Sequence, residues 1–160
     1  MKKIQLTTTF TVFDAINELL TDDKMLMDKA IESRKNAYAP YSNFNVGAAL
    51  LLDNGKIVSG NNQENAAYPS GLCAERVAIY SAGAIYPKAT IIKMAITASS
   101  TQKKVTKPVG PCGACRQAIA EYEFKQKTPI EILFMGEIGQ VIKSSSLKDL
   151  LPLSFDKSFL

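Results

Sequence analysis

The sequence predicts an α/β fold in which a mixed sheet lies between helices, and three observations predict it. Helix-patterned and strand-patterned segments follow one another as helix, hairpin, helix, strand, helix, strand, an order that buries one sheet under helices on its faces. The chain has 160 residues, 46% hydrophobic and 21% charged, which suits one ordinary globular core. No internal repeat or linker-like stretch divides it.

Each element has its own signal. Residues 1–23 form an N-terminal extension of unassigned role, and residues 24–160 read as one domain. Within the extension, Phe13, Ile16, Leu19 and Leu20 fall at helical spacing and predict a short amphipathic helix around 11–20. From Lys24 to Tyr38, Leu26, Met27, Ala30, Ile31, Ala37 and Tyr38 recur at helical spacing, with Pro40 placed to end the helix. Phe44 to Leu52 is rich in β-formers, Asp53-Asn54-Gly55 is a hairpin turn, and Lys56 to Gly60 returns as a second strand. Residues 73–86 predict a helix carrying Val77, Ala78, Tyr80 and Ala84. Thr90 to Ala98 is a continuous apolar strand of the kind buried on both faces. Residues 99–109 are polar with three lysines but no accompanying aromatic or arginine, which predicts a solvated loop. A helix at 112–124, a strand at 129–135 and a helical turn at 147–151 before Pro152 complete the order.

A formal net charge of +4 is too mild and too dispersed for a nucleic-acid partner. No long apolar run marks a signal peptide or a membrane span. An odd number of cysteines at metal-like spacing argues against a disulfide framework and for a reducing, cytoplasmic setting.

The chemistry concentrates in two short segments. All three cysteines fall in Cys73-Ala74-Glu75-Arg76 and Pro111-Cys112-Gly113-Ala114-Cys115, and the chain has no histidine. A soft metal pocket would therefore draw on Cys73, Cys112 and Cys115. Three protein ligands with a fourth position open is the catalytic zinc pattern, whereas structural zinc takes four. A structural site closed by an aspartate or glutamate stays open as an alternative. Cys112 and Cys115 are i,i+3 and share one face of a helix turn; Pro111 suits a helix start, and helix N-termini favour thiolates. Arg76, at i+3 from Cys73, lies on the same helical face. Three thiolates outweigh Zn²⁺ by one charge, and a guanidinium directed at a sulfur would offset that excess. Arg116 is the weaker candidate, because adjacent helix positions point apart.

The run C-A-E-R followed by P-C-G-A-C-R resembles the zinc-dependent cytidine deaminases in their small three-cysteine form. Tyr38-Ala39-Pro40-Tyr41-Ser42, the run Phe44 to Leu50, and Gly60 to Tyr68 also resemble family segments in family order, so the likeness spans roughly residues 25–155. It implies a three-layer α/β/α sandwich, one Zn²⁺ per chain, and hydrolysis of cytidine and deoxycytidine to their uracil counterparts in pyrimidine salvage. It further implies a homotetramer with active sites shared between subunits. Glu75 matches the glutamate that moves protons between water, ring and leaving ammonia. Asn62 and Glu64 point the same way on an extended chain, and the family uses the matching pair for the sugar 3′-hydroxyl. Gln63 between them departs from the usual aliphatic residue. Phe44 resembles the aromatic that packs on the pyrimidine, Ala74 a substrate contact, and Phe155 an aromatic donated by a neighbouring subunit. Two other readings stay in view: a deaminase of another cytosine nucleoside, of the blasticidin S type, and a zinc-stabilised binding module without turnover. A polynucleotide-editing deaminase fits the short chain less well.

Overall fold

Alternation along the central strands decides the layers. In the computed structural model, which describes residues 1–160, β2 (Phe44–Leu52) sends Ala48, Leu50 and Leu52 to one core and Ala49 to the other. β4 (Ile91–Ser100) divides Met94 and Ile96 from Ala95, and β5 (Glu131–Met135) divides Ile132 and Phe134 from Leu133 and Met135. A sheet apolar on both faces needs a helix layer on each. α2 (Ala74–Ile85) and α3 (Gly113–Gln126) cover the first face through Ala78, Ile79, Ala82, Ile119 and Ala120. α1 (Thr21–Arg34) covers the second through Leu26, Met27 and Ala30. The result is the expected three-layer sandwich.

Six strands run in the order β1-β6-β5-β4-β2-β3, with β3 at Ile57–Asn61, β6 at Val141–Ser144 and β1 at Thr11–Phe13. β4 and β5 are parallel and every other pair is antiparallel, so the sheet is mixed. The β2–β3 hairpin turns at Gly55, whose φ of +76° is open to glycine at no steric penalty.

Two expectations fail here for identifiable reasons. The predicted helix at 11–20 is instead strand β1 followed by a single 3-10 turn, Ile16–Glu18. An isolated helix of that length is marginal, while β6 offers an unpaired edge that Thr11, Val12 and Phe13 join in register with Lys143, Ile142 and Val141. Phe13, Ile16 and Leu19 still face the core, over Leu133, Met135 and Val141, but from a strand and a turn. Pro40 does not end the first helix, which stops at Arg34. Beyond it the backbone is taken by tertiary pairing: the Tyr38 N–H donates to the Asn62 carbonyl (3.0 Å), and the Tyr38 carbonyl accepts from the Glu64 N–H (2.9 Å).

The hairpin meets both helix layers backbone to backbone. A Cβ on Gly47 would lie 2.1 Å from the Ala30 carbonyl oxygen, and one on Gly60 would lie 2.5 Å from that of Ala74. At the far end of α1, the buried Asp23 carboxylate bridges Lys93 on β4 (2.5 Å) and Lys143 on β6 (3.0 Å), and Glu131 on β5 closes the ring at 2.8 Å from Lys143. Burial alone would raise the Asp23 pKa, but the two ammonium groups overcome it and hold the carboxyl below its ordinary value. A depressed carboxyl stabilises the fold above the unfolded pKa and loses that contribution as pH falls through the folded one. Asp23→Asn should therefore lower stability at pH 7 by on the order of 3 kcal/mol. The gap to wild type should narrow below about pH 4, as read by urea unfolding across that range.

Candidate active site

Both cysteine segments sit at helix starts. Cys73 is the N-cap of α2, Cys112 is the N-cap of α3, and Cys115 lies in the first turn of α3. Because both helices pack on the same sheet face, their N-termini converge and bring the three sulfurs within 4.8 Å of one another. The Cys73 and Cys112 sulfurs are 3.9 Å apart, close to the ~3.8 Å expected between sulfurs on one tetrahedral zinc with bonds of about 2.3 Å. The donor set is soft, and no fourth cysteine, histidine, aspartate or glutamate completes the cluster. It therefore fits one zinc per chain with a position left open.

Local electrostatics favour a thiolate here. The Cys73 pKa is lowered to about 5, first because the Cys115 thiol donates to it, against the effect of burial, with Arg76 adding a charged donor. Cys115 is pushed up by the same bond and by burial. The Arg76 guanidinium reaches the Cys73 sulfur at 3.8 Å, as its spacing predicts. Arg116 has other work: it donates to the carbonyls of Pro111 and Leu150, both at 2.8 Å, and ties the metal helix to the C-terminal segment.

Glu75 is buried beside this cluster, 3% exposed, and its Oε2 has no hydrogen-bond partner. Burial raises its pKa, its own backbone N–H opposes the rise, and the Cys73 charge adds to it. A carboxyl so placed is suited to taking up a proton and passing it on.

A cavity of about 710 Å³ opens in front of the sulfurs. Cys73, Glu75 and Cys112 border one side, and Phe44, Asn62 and Glu64 also line it. The Asn62 amide mimics a strand partner: its oxygen accepts from the Val46 N–H (2.8 Å) and its nitrogen donates to the Phe44 carbonyl (2.9 Å). One amide N–H remains. Glu64 accepts the N–H groups of Tyr41 (2.9 Å) and Ser42 (3.2 Å) on Oε2 and the Ser42 hydroxyl on Oε1. The Ser42 hydroxyl is the main reason its pKa falls, against a small effect of burial, with the two backbone donors adding. A remaining donor beside a remaining acceptor suits a hydroxyl, which is both.

The other sequence candidates lie elsewhere. Ala74 is wholly buried in the core and does not line the cavity. Phe155 is exposed, stacks on Phe159 at 5.7 Å, and stands outside this chain's own cavity. The Gln63 side chain turns to the Asn61 oxygen (2.5 Å). Sequence reasoning missed Tyr41, Ser42 and Tyr68 on the cavity wall, and Ile96, Val109 and Gly110 around it. The Tyr41-Ser42 pair was visible in its motif, but nothing in the spacing tied it to Glu64.

A family model, the cytidine and deoxycytidylate deaminase zinc-binding region, matches residues 20–129. The chain belongs to the cytidine and deoxycytidylate deaminase family. Among curated relatives, a cytidine deaminase of Halalkalibacterium halodurans is 39% identical over 135 residues, 84% of this chain and 94% of that protein. A cytidine deaminase structure from Burkholderia pseudomallei superposes with a TM-score of 0.70 at 39% identity, covering 82% of this chain and 97% of that one. A blasticidin-S deaminase of Bacillus cereus is 29% identical over 115 residues, 71% of this chain and 78% of that protein. In this family member, elemental analysis should find about one zinc per chain in wild type and in Glu75→Ala, and markedly less in Cys115→Ala.

Proposed function

We propose that this chain is a cytidine deaminase, converting cytidine and deoxycytidine with water to uridine and deoxyuridine and releasing ammonia. The observation that carries this reading is the buried Glu75 carboxyl, with Oε2 unpartnered, beside three convergent cysteine sulfurs, in a cavity also lined by the Asn62–Glu64 pair.

Held by Cys73, Cys112 and Cys115, zinc would supply a water activated at neutral pH. Glu75 Oε2 takes a proton from the attacking water and passes it to the ring nitrogen N3 as the new C4–O bond forms. A second proton, moved by the same carboxyl, goes to the exocyclic amine, the C4–N4 bond breaks, and ammonia leaves. Phe44 offers a face for the ring, and the free N–H of Asn62 with the free lone pair of Glu64 takes a sugar hydroxyl. Arg76 is the cavity's one cationic side chain, and it is turned toward Cys73. With Glu64 and Glu75 both acidic, this environment favours a nucleoside over its phosphate ester.

The sharper likeness to cytidine deaminases, 39% against 29%, favours cytidine over blasticidin S. Glu75 beside an open metal position favours turnover over a purely structural module. No helix is long and apolar enough to cross a membrane. We further infer a homotetramer working in cytoplasmic pyrimidine salvage, with Phe155 serving a neighbour's site. Its exposure on a C-terminal segment supports that role.

Loss of ultraviolet absorbance on incubation with cytidine tests the reading directly. Glu75→Ala should keep its zinc yet lose turnover by about 10²–10⁴-fold. Arg76→Gln should also keep zinc but turn over more slowly, with the acid limb of its pH–rate profile moved upward, because the Cys73 sulfur is no longer drained of electron density. Free cytosine should show kcat/KM lower than cytidine by on the order of 10²-fold or more, since the hydroxyl partners stay unpaired. Equal values for base and nucleoside would remove Asn62 and Glu64 from the site.

A further inference from the structure

We propose that Ser42 is a positioning residue for sugar recognition, holding Glu64 as an obligate acceptor so that the cavity selects nucleosides whose sugar hydroxyl donates to it. The inference rests on the cytidine deaminase reading above and concerns a side chain to which that reading gives no part.

The geometry is a closed ring of hydrogen bonds. The Ser42 hydroxyl donates to Glu64 Oε1, and its oxygen accepts the Phe44 N–H at 3.1 Å. The Phe44 carbonyl accepts the Asn62 amide N–H at 2.9 Å, and Asn62 and Glu64 lie two residues apart on one extended segment. Ser42 is thus the one side chain bonded both to the sugar carboxylate and to the strand residue that anchors the sugar amide. The hydroxyl has one proton, and the Phe44 N–H occupies the oxygen as a donor, so that proton is committed to Glu64.

The consequence concerns polarity. With two donors on Oε2 and one on Oε1, Glu64 is held as an ionised acceptor whose remaining capacity is on Oε1. The lowered pKa of this carboxyl agrees. A sugar hydroxyl must then give its proton to Glu64 and take one from Asn62, in a single orientation. A sugar without that hydroxyl leaves the last Asn62 N–H and the last Glu64 acceptor site unpaired, which is where discrimination is largest. The turn carrying Ser42 is itself fixed. Asn43 holds φ at +56°, and its N–H bonds the Ala39 carbonyl at 3.0 Å.

The test compares cytidine, 2′-deoxycytidine, 3′-deoxycytidine and free cytosine on zinc-loaded wild type, Ser42→Ala, Ser42→Cys and Ser42→Thr. For Ser42→Ala, the KM for cytidine should rise about tenfold with kcat within about twofold, the size expected from losing one bond to a charged group. The ratio of kcat/KM between cytidine and the deoxy analogue that wild type rejects most should shrink by a similar factor. Ser42→Thr, which keeps the hydroxyl, should restore both values. Ser42→Cys, near in shape but a weak donor, should fall on the Ala side and decides the matter if Ser42→Ala does not fold. A merely structural serine would lower all four substrates together and leave the ratio unchanged, and that result overturns the inference alone. Wild-type protein that deaminates none of the four overturns the functional reading and the inference with it.

Discussion

The contact on which the rest of the site depends involves no side chain at all. At Gly60 the backbone of β3 lies directly against the first turn of α2, with the Ala74 carbonyl in the space a Cβ would need. That approach fixes the start of α2, and so Cys73 and Glu75, relative to the strand whose continuation carries Asn62 and Glu64. Cys73, Glu75, Asn62 and Glu64 are thereby spaced by two backbones in close contact. Such a gauge is stiffer than side-chain packing, because interiors this dense have no slack to redistribute. Gly47 does the same for α1 on β2, so the hairpin is clamped between helix layers.

Two glutamates in one cavity show how environment assigns roles. Glu75 is buried with an oxygen unpartnered, and its pKa moves up. Glu64 sits near the surface with three donors, and its pKa moves down. The same side chain keeps an oxygen unpartnered in one place and is held as an acceptor in the other.

Most of the fold was legible because its elements are locally consistent: the turn at Asp53-Asn54-Gly55, the apolar runs of β2 and β4, and the helices opening at the two cysteine segments all appear where their residues place them. The failures share one cause. Phe13, Ile16 and Leu19 have helical spacing, but the edge of β6 was free and took Thr11–Phe13 as a strand. Ala37 and Tyr38 continue a helical pattern, but the segment at 62–64 took the backbone of Tyr38. In both, a distant partner overrode a local preference, and a window of sequence holds no record of distant partners. β6 itself is only four residues long, too short for periodicity to register. The metal cluster was legible because a chain with three cysteines and no histidine leaves few choices. The part of Ser42 was not, since its meaning lies in a bond to a residue more than twenty positions away.

The outermost strand has a consequence for how this molecule comes into being. β1 is the first strand to leave the ribosome, yet its only partner in the sheet, β6, is the last. Until β6 is made Thr11–Phe13 has no ladder to join, while β2 and β3 pair as a local hairpin. Closing a loop almost as long as the chain carries an entropic penalty that only the assembled β4–β5–β6 edge offsets. Thr11–Phe13 is therefore a latecomer to the sheet, and the docking of Phe13, Ile16 and Leu19 over Leu133, Met135 and Val141 waits on β5 and β6.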